Sequence, residues 1–579
     1  MQSADHLINA RLAAAGERLV GSTVDPELRE ATRPEFGDFQ TSLALRIGKQ
    51  LGIAPRLAAQ KLLAGLDVSD LCEPPELAGP GFLNFTLKPE YLAGYVTEIA
   101  ADERLGVPTA PVKQRIVLDY SQPNVAKEMH VGHLRSTVIG DALGRVLEFA
   151  GHDVVRQNHI GDWGTQFGML IEQMLAEDLR AADLDLAEMS ALYRRARRHF
   201  DGDPLFATRS RERVVALQAG DEATLASWRQ LVSVSVNAFD AVYRQLGVRL
   251  TAADVMGESA YNDDLPRLVE ELAELGLLTE SNGASCVFNP GFLGRDGSPL
   301  PMIVRKSDGG FGYSATDLAA VRYRVGRLHA DRLIYVVDVR QTLHFDQVFA
   351  VARRAGWLPE SVPAEHVRFG SVLDESGQPF KSRDGEVVPL GELLRIAQDE
   401  AAALLADRGT NNRDDLSRAI GIGAVKYADL SAGRSRDYVF AVHRMVALDG
   451  NTGPYLQYAH ARLCSLLRRA GDGPAATVTA TATVTVTTLT EPAERRLAYV
   501  LTRFPAAVAE TLQTLEPHQL CGYLYRLATA VSGFYQRCPV LQVGVDPATR
   551  DSRLALCAVA RRTLARGLDL LGIVAPETM

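Results

Sequence analysis

The segment PNVAKEMHVGHLRS, residues 123–136, places two histidines around a glycine where a helix is predicted to begin. A helix N-terminus presents unpaired backbone N–H groups and about half a positive charge, and both favour a bound phosphate. Gly132 would let a ligand approach the backbone, and His130 and His133 could donate hydrogen bonds as charge builds on a phosphate. The pattern predicts nucleotide activation. A helix cap beside a surface histidine is the alternative interpretation, because such short motifs also occur by chance.

The elements predicted around this motif form a strand–helix–strand unit. The run RIVLDYS (115–121) is typical of a buried strand, a helix with apolar residues at three- and four-residue spacing follows the motif, and HDVVRQNHI (152–160) predicts a second strand. Strands predicted in 331–339 and 366–373, with a helix between them, repeat the pattern. We therefore expect a Rossmann-type, doubly wound parallel sheet, which binds ligands at the carboxyl ends of its strands.

The whole chain is predicted to be a multidomain α/β protein. Residues 1–110 mix helical and turn-rich strand patterns, which predicts an N-terminal α+β domain, and 111–390 hold the parallel-sheet core with a helical insertion at about 168–280. Residues 391–579 show almost only helical periodicity and predict a C-terminal all-α bundle. Within it, the Thr/Val-rich segment 475–490 is predicted to be a surface connection between helices.

Composition excludes several classes of protein. At 579 residues, with 46% hydrophobic and 23% charged residues, the chain fits a folded, soluble, multidomain protein. No apolar run reaches the roughly 20 residues that span a bilayer, and the first residues resemble an amphipathic helix rather than a signal peptide. We therefore expect a cytoplasmic protein that is not bound to a membrane. The net charge of −9 still permits a local basic face for a polyanion. Six cysteines without a CxxC pair predict free thiols and no zinc: Cys72, Cys286, Cys464, Cys521, Cys538 and Cys557.

The segment DYSQPNVAKEMHVGHLRSTVIGDAL (119–143) resembles the HIGH-motif region of class I aminoacyl-tRNA synthetases. Its residues are most similar to those of the arginyl-tRNA synthetase family. Further stretches in the same order resemble that family along the whole chain, among them AGPGFLNF, GYSATDLAAVRYR, YVVDVRQTLHFDQVF, NTGPYLQYAHAR and GLDLLGIVAPETM. The resemblance implies a Rossmann catalytic domain with an inserted connective segment, an N-terminal domain that reads the tRNA elbow, and a helical anticodon-binding domain. It also implies ligation of L-arginine to tRNA(Arg) through an arginyl-adenylate, with ATP and Mg²⁺, by a monomer whose activation step requires tRNA.

A pocket for arginine needs carboxylates, because a guanidinium presents five donors in a planar fork. Asp119 and Asp317 are candidates, and Tyr313 lies four residues before Asp317, on the same face of a predicted helix. Taken alone, Asp317 would be an exposed helix carboxylate. The resemblance implies arginine contacts at Asp119, Ser121, Asn124, Tyr313, Asp317 and Gln341, the first and third of these nearer the α-amino end, and an adenine-side role for His344.

The second phosphate motif departs from the pattern of the class. The place equivalent to the KMSKS loop, GQPFKSRDGEVVPL (377–390), offers Lys381, Ser382 and Arg383 without the second lysine. Lys127, three residues before His130, is therefore a candidate for the missing cation, although alone it resembles a common surface lysine. Mg²⁺ is expected to be held mainly by ATP oxygens.

Contacts with tRNA are predicted from the resemblance in two places. Phe82 and Asn84 combine an aromatic platform with an amide that could read a flipped-out base of the tRNA elbow, whereas an ordinary strand would bury Phe82 in the core. Candidates for the anticodon pocket are Tyr455, Tyr458, Tyr535 and Met579. The basic stretch LYRRARRHF (192–200) stays unassigned.

Two other functions remain open at this point. A small-molecule nucleotidyltransferase shares the histidine motif, but it predicts a far shorter chain without RNA-binding domains. A tRNA-binding paralogue without activity is suggested by the altered second phosphate loop. Against it stand His130, Gly132, His133, Asp317 and Gln341, which are all present.

Overall fold

The computed structural model describes residues 3–378, 380, 388–406, 412–471 and 485–579. Lys381, Ser382 and Arg383 therefore lie outside the described residues, as does 475–484 of the Thr/Val-rich segment. The helices of the described residues are α1 (Ala4–Val20), α2 (Leu43–Leu51), α3 (Pro55–Ala64), α4 (Pro89–Ala101), α5 (Val131–Phe149), α6 (Thr165–Ala176), α7 (Leu186–Gly202), α8 (Pro204–Gln218), α9 (Glu222–Leu246), α10 (Leu265–Glu274), α11 (Tyr313–Gly326), α12 (Thr342–Arg354), α13 (Leu390–Leu404), α14 (Arg413–Ser431), α15 (Val442–Met445), α16 (Gly453–Arg469), α17 (Pro492–Thr502), α18 (Phe504–Thr514), α19 (Pro517–Arg537) and α20 (Pro547–Leu570). The strands are β1 (Arg29–Glu30), β2 (Phe39–Thr41), β3 (Glu76–Ala78), β4 (Phe82–Phe85), β5 (Arg115–Asp119), β6 (Asp153–Gln157), β7 (Leu278–Ser281), β8 (Ala284–Leu293), β9 (Pro299–Arg305), β10 (Arg332–Asp338), β11 (Ala364–Phe369), β12 (Val372–Leu373) and β13 (Tyr438–Val439).

The first part of the chain is the expected mixture of helices and strands. Its antiparallel sheet has the order β1-β2-β4-β3, and α1 buries Ile8, Leu12 and Ala15 at helical spacing. The stretch FQTSLALRIGKQLG (39–52) shows the helical pattern expected in this part, but its first three residues form β2. There the buried Phe39 and Thr41 alternate with the half-buried Gln40, which is a strand period, and the helix begins only after Ser42.

The central sheet has the order β11-β10-β5-β6 with all strands parallel, which confirms the doubly wound prediction. Alternate residues of the inner strands enter two different cores. Ile116 and Leu118 of β5 pack on the side of α5, whereas Val117 packs with α11 and α12 on the other face. The chain passes from β5 to β6 on one side of the sheet centre and from β10 to β11 on the other side. A crevice therefore lies at the carboxyl ends of β5 and β10.

The insertion is helical as predicted, with α6 to α10 following one another. It continues, however, into an antiparallel sheet of order β7-β8-β9, which the sequence patterns did not predict. Pro299 and Pro301 in β9 argue against a strand, but β9 is at the sheet edge, where a residue without an N–H is tolerated.

The last part of the chain forms the predicted helix bundle, α13 to α20. The described end of the Thr/Val-rich segment, 485–490, has no regular structure, and it is not purely a surface connection. Val486 and Leu489 are buried, and the N–H of Val486 donates to Thr97 Oγ1 on α4. All six cysteines lie among the described residues as buried free thiols, as predicted. Within the described ranges, every helix is too short or too polar to span a bilayer.

Helix α5 is held between the sheet and the bundle by charges that water does not reach. Arg135 is 1% exposed, its Nε lies 3.3 Å from Asp429 on α14, and its Nη1 donates to the carbonyl of Arg436 at 2.8 Å. In α14, the buried Lys426 lies three residues before Asp429. It donates to the carbonyl of Leu246 and lies 4.0 Å from Asp141 of α5. The position of α5 is therefore coupled to that of α14.

We expect Asp429→Leu to destabilise the protein by about 3–5 kcal/mol, because it leaves the charge of Arg135 buried without its partner. The double variant Arg135→Met/Asp429→Leu removes both charges and should recover much of that loss. Denaturant unfolding of the full chain measures both effects. Asp201→Ala breaks the exposed pair with Arg197 and should change stability by less than about 1 kcal/mol. A double variant as unstable as the single one would contradict the argument.

Candidate active site

The two histidines of the motif are fixed at the start of α5 by a reciprocal cap. His130 is the N-cap residue, its Nδ1 accepts from the N–H of Gly132 at 3.0 Å, and His133 Nδ1 accepts from the N–H of His130 at 3.1 Å. Burial lowers the pKa of both rings, that of His133 to about 3. Both rings are therefore neutral at pH 7, with the proton on Nε2. The motif presents two N–H donors beside a helix N-terminus.

Gly132 has a steric reason to be glycine. A Cβ at this position would lie 2.7 Å from His130 Cε1 and 2.9 Å from its Nδ1. Any side chain would push the His130 ring out of its cap. Gly132 is therefore constrained in two ways: by the predicted close approach of a ligand and by the packing of the His130 ring on its backbone.

The loop between β5 and α5 is strained and is held by the insertion. Ser121, Gln122 and Ala126 have positive φ, which is uncommon for residues with side chains. The hydroxyl of Ser121 is within 2.7 Å of the Tyr243 hydroxyl of α9, and the N–H of Ala126 donates to Ser235 of the same helix. Helix α9 therefore stabilises the loop that carries the motif.

Two of the predicted substrate contacts, Ser121 and Asp119, are buried and bonded to other groups of the protein. Ser121 is buried, and its hydroxyl is bonded to Tyr243 and Thr137. Asp119 is 2% exposed and one of its oxygens accepts from Arg324 of α11 at 2.6 Å. The other oxygen of Asp119, Oδ1, is buried and has no hydrogen-bond partner among the described residues, so contact of Asp119 with the substrate stays a prediction.

The predicted carboxylate Asp317 is not an exposed helix residue. Its Oδ2 lies 2.6 Å from His344 Nε2, and its Oδ1 lies 3.8 Å from His159 Nε2. Burial raises the pKa of this carboxyl, but the hydrogen bond to His344 and the two imidazoles outweigh burial, so its pKa is below the usual value. His344 thus contacts the predicted arginine pocket, and its predicted contact with adenine stays a prediction.

Glu258 is a residue that the sequence patterns missed. It begins a 3-10 turn, Glu258–Asp264, inside the inserted region, and it is 7% exposed. Burial, followed by repulsion from Asp317 and Asp162, raises its pKa to about 8. No motif surrounds it in the sequence. Only the folded chain places this second carboxyl near Asp317.

The remaining predicted contacts of the arginine pocket come from three further segments of the chain. Tyr313 is the first residue of α11, is 67% exposed, and lies near enough to Glu258 for the two groups to interact electrostatically. Gln341 is exposed, just before α12, three residues ahead of His344. Asn124 pairs with Gly161 after β6. The structure therefore gathers residues from the ends of β5, β6 and β10.

Positive charges flank the histidine pair. Lys127 Nζ lies 4.4 Å from the centre of the Tyr193 ring of α7, and its charge contributes to the lowered pKa of both histidines. Arg340, at the carboxyl end of β10, lowers the pKa of His130 in the same way, and sequence analysis missed it. Its position at a strand end beside Gln341 was the available signal.

The flanks of the second phosphate loop are attached to the first motif. Phe380 packs on Phe440 with ring centres 5.3 Å apart, and its N–H donates to the carbonyl of Val372 in β12. On the other side of the loop, the N–H of Leu390 donates to the carbonyl of Met129 at 2.8 Å. The flank at Leu390 is therefore attached next to the start of α5, whereas Lys381, Ser382 and Arg383 are outside the described residues.

The predicted tRNA contacts lie in two separate regions. Asn84 is buried and accepts from Gln40 at 2.7 Å, while Phe82, on the same face of β4, is half-buried. In the bundle, the hydroxyls of Tyr455 and Ser532 are 3.1 Å apart, Tyr535 stacks under Arg462, and Tyr458 is half-buried. Met579 packs on α13 and α14 and is not part of the same cluster.

Metal binding has no obvious place in the described part of the chain. Over residues 3–378, 380, 388–406, 412–471 and 485–579, no group of three or more His, Cys, Asp or Glu side chains could hold a metal ion. Asp338, the carboxylate at the end of β10, is paired through both oxygens with Arg340.

A parallel doubly wound sheet with a histidine motif at its first crossover helix, together with a C-terminal helix bundle, defines a class I aminoacyl-tRNA synthetase. Family models agree. Residues 95–442 match the catalytic domain of class I tRNA synthetases (R), 2–87 match the arginyl tRNA synthetase N-terminal domain, and 456–579 match the DALR anticodon binding domain.

The individual relatives are enzymes named for one amino acid, arginine. The chain is 52% identical over 576 residues to an arginine–tRNA ligase of Cutibacterium acnes, covering 98% of this chain and 99% of that one, and 50% identical over 578 residues to that of Thermobifida fusca, with the same coverage. Among solved structures, arginyl-tRNA synthetases of Plasmodium falciparum (TM-score 0.84, 28% identity) and Thermus thermophilus (0.80, 26%) match over 100% of both chains. The chain belongs to the arginyl-tRNA synthetase family.

Proposed function

We propose that the chain is an arginine–tRNA ligase that works in two steps. The arginine carboxylate attacks the α-phosphorus of ATP and releases pyrophosphate, and the terminal ribose hydroxyl of tRNA(Arg) then captures the arginyl group and releases AMP. The observation that carries this proposal is identity of about half of all residues, over nearly the full chain, with arginine–tRNA ligases. No protein nucleophile is needed, so catalysis consists of positioning and charge stabilisation.

The phosphate side of the reaction is assigned to the start of α5. The Nε2–H groups of His130 and His133 would donate to phosphate oxygens, and the helix N-terminus would add its partial charge. Lys127 and Arg340 supply full positive charges from either side, and Lys381, Ser382 and Arg383 remain proposed contacts of the second loop. Mg²⁺ would be held mainly by the triphosphate, since Arg340 already occupies Asp338, and bound there it would neutralise phosphate charge.

The arginine side chain is assigned to the carboxyls of Asp317 and Glu258, with Tyr313 at the entrance. A guanidinium between two carboxyls makes paired, charge-assisted hydrogen bonds that a lysine ammonium cannot reproduce. His344 and His159 orient Asp317. Gln341, Asn124 and Asp119 are proposed for the α-amino end, whereas Ser121 acts through the position of the β5–α5 loop.

The tRNA contacts remain those that the resemblance implies. Phe82 and Asn84 are proposed to meet the tRNA elbow, and the anticodon is assigned to Tyr455, Tyr458, Tyr535 and Met579. Supporting the first assignment, Phe82 is only half-buried and shares a face of β4 with Asn84. We further propose a monomer that acts in the cytoplasm, where its three substrates meet; sedimentation at working concentration tests the monomer.

The proposed activity is tested by ATP–pyrophosphate exchange with each amino acid in turn, with and without tRNA. We expect exchange with arginine only, and only in the presence of tRNA, as the family resemblance implies. Exchange with arginine alone would contradict the tRNA requirement. Absence of exchange under every condition would favour the inactive tRNA-binding paralogue.

Lys127→Met should lower the rate of adenylate formation about 10²- to 10³-fold, because a preorganised charge is removed from the side of the triphosphate. The apparent KM for ATP should change little, since the contact matters chiefly in the transition state. Single-turnover kinetics measure the rate. Lys113→Met, at an exposed lysine ahead of β5, is the matched control. Equal rates in the two variants would contradict this role of Lys127. The missing positive charge would then be assigned to the second phosphate loop.

Arginine binding should depend on pH through Glu258. Because its pKa is about 8, this carboxyl is neutral in the free protein below pH 8 and must lose a proton to pair with a guanidinium. Affinity for arginine should therefore rise as pH increases from about 6 to 8, by up to tenfold per pH unit, and then level off. Calorimetry in buffers of different ionisation enthalpy measures the proton released.

Glu258→Gln is the decisive variant for this pH dependence. It should bind arginine more weakly at pH 8 and lose the proton release. Asp317→Asn should also weaken arginine binding but keep the proton release, shifted to lower pH because a repelling charge is gone. Proton release that persists unchanged in Glu258→Gln would assign the titration to another group.

A further inference from the structure

Helix α7 of the insertion contacts the loop that leads into the histidine motif. Ser190 Oγ accepts from the N–H of Glu128 at 3.1 Å. The ring of Tyr193 lies against the ammonium of Lys127, with Nζ 4.4 Å from the ring centre. Ser190 and Tyr193 are three residues apart, which places them on one face of the helix. One face of α7 therefore contacts two consecutive residues just ahead of His130.

The ring of Tyr193 is itself held in place by packing. It is half-buried and lies against the hydrophobic cluster that contains Val125 and Ala126 of the loop together with Met189 and Leu192 of α7. Protein cores are close-packed, so a ring that shares a core with the loop has little freedom to move relative to it. The ring therefore keeps a fixed position beside the backbone that carries the lysine.

The ammonium of Lys127 depends on this ring for its position. Among the residues that the structure describes, the ammonium has no ion pair and no hydrogen bond, and the side chain is half-buried. A lysine side chain is a flexible four-carbon stem, and much rotamer freedom is lost when it is held in one place. An aromatic face attracts an ammonium through the quadrupole of the ring. Stacking on Tyr193 is therefore the contact that selects one position of the charge.

The stacked position of Lys127 is close to the histidine motif. Burial lowers the pKa of His130 and His133, and the charge of Lys127 contributes to lowering both. Tyr193 also lies near the proposed arginine pocket: burial raises the pKa of Tyr313, and Tyr193 contributes to that rise. The ring therefore lies between the phosphate side and the arginine side of the proposed site.

We propose that Tyr193 is a positioning residue for Lys127, whose ammonium its ring holds at the edge of the histidine motif, where the triphosphate is assigned. The inference rests on the proposed function and adds to it a residue of the insertion that acts on the chemical step. Because the face of the ring attracts the ammonium, the hydroxyl of Tyr193 is not needed for this role. Tyr193 acts through the lysine and does not itself touch the reacting atoms.

Tyr193→Leu should slow single-turnover adenylate formation about 2- to 30-fold, which is the range that one cation–π contact is worth. The KM for ATP should stay within about twofold, because the charge matters chiefly in the transition state. Tyr193→Phe keeps the aromatic face and should react within about twofold of the wild type. Phe200→Leu is the matched control: it removes another ring of α7, one that lies beside Arg197 and Arg211, and should leave the rate unchanged.

A double-variant cycle separates positioning from folding. In the Lys127→Met background the ammonium is absent, so adding Tyr193→Leu should slow the reaction no further. Equal slowing in both backgrounds would overturn the proposal, because the ring would then act on something other than the lysine.

Three further results would also overturn the positioning role of Tyr193. They are a normal rate in Lys127→Met, a Tyr193→Phe variant as slow as Tyr193→Leu, and a defect confined to the KM for tRNA or arginine, which would make the ring a substrate contact. Failure of the wild type to exchange pyrophosphate with arginine in the presence of tRNA would instead overturn the proposed function.

Discussion

The position of α5 is the constraint on which the site depends. Its N-terminus carries the histidine cap, and its later turns are clamped by buried charges, Arg135 on Asp429 and Asp141 beside Lys426. Buried pairs of this kind have a narrow range of acceptable geometry, because each charge is costly without its partner. The catalytic sheet and the C-terminal bundle therefore cannot shift independently around α5, and the flanks of the second phosphate loop are held in the same frame.

Groups that attract anions and groups that attract cations lie in different parts of the site. Neutral imidazoles, a helix N-terminus, Lys127 and Arg340 lie where the triphosphate is proposed, and the carboxyls of Asp317 and Glu258 lie where the guanidinium is proposed. Arginine carries a carboxylate at one end and a cation at the other, so this polarity orients it for attack on the α-phosphorus. Burial raises the pKa of Glu258, and repulsion from the nearby carboxylates of Asp317 and Asp162 raises it further while no cation is bound.

The insertion has a structural role in the site in addition to any contact with RNA. Through Ser235 and Tyr243, α9 stabilises a loop with three residues at positive φ, and that strain is tolerated only because the surroundings determine it. Ser121, expected at the substrate, belongs to this support.

Much of the fold follows from local patterns in the sequence. Short apolar runs typical of buried strands predicted β5, β6, β10 and β11, helical spacing predicted α5 and the bundle, and the histidine motif identified the start of α5, because these features depend on neighbours within a few residues. Tertiary structure alone decided that Asp119 pairs with Arg324, that His344 binds Asp317, and that Glu258 lies near Asp317. Those contacts join residues far apart in the chain, and a carboxylate has the same local sequence whether it faces water, an arginine of its own chain or a substrate. The physical reason is that burial and charge pairing are properties of the assembled core, whereas periodicity is a property of the chain.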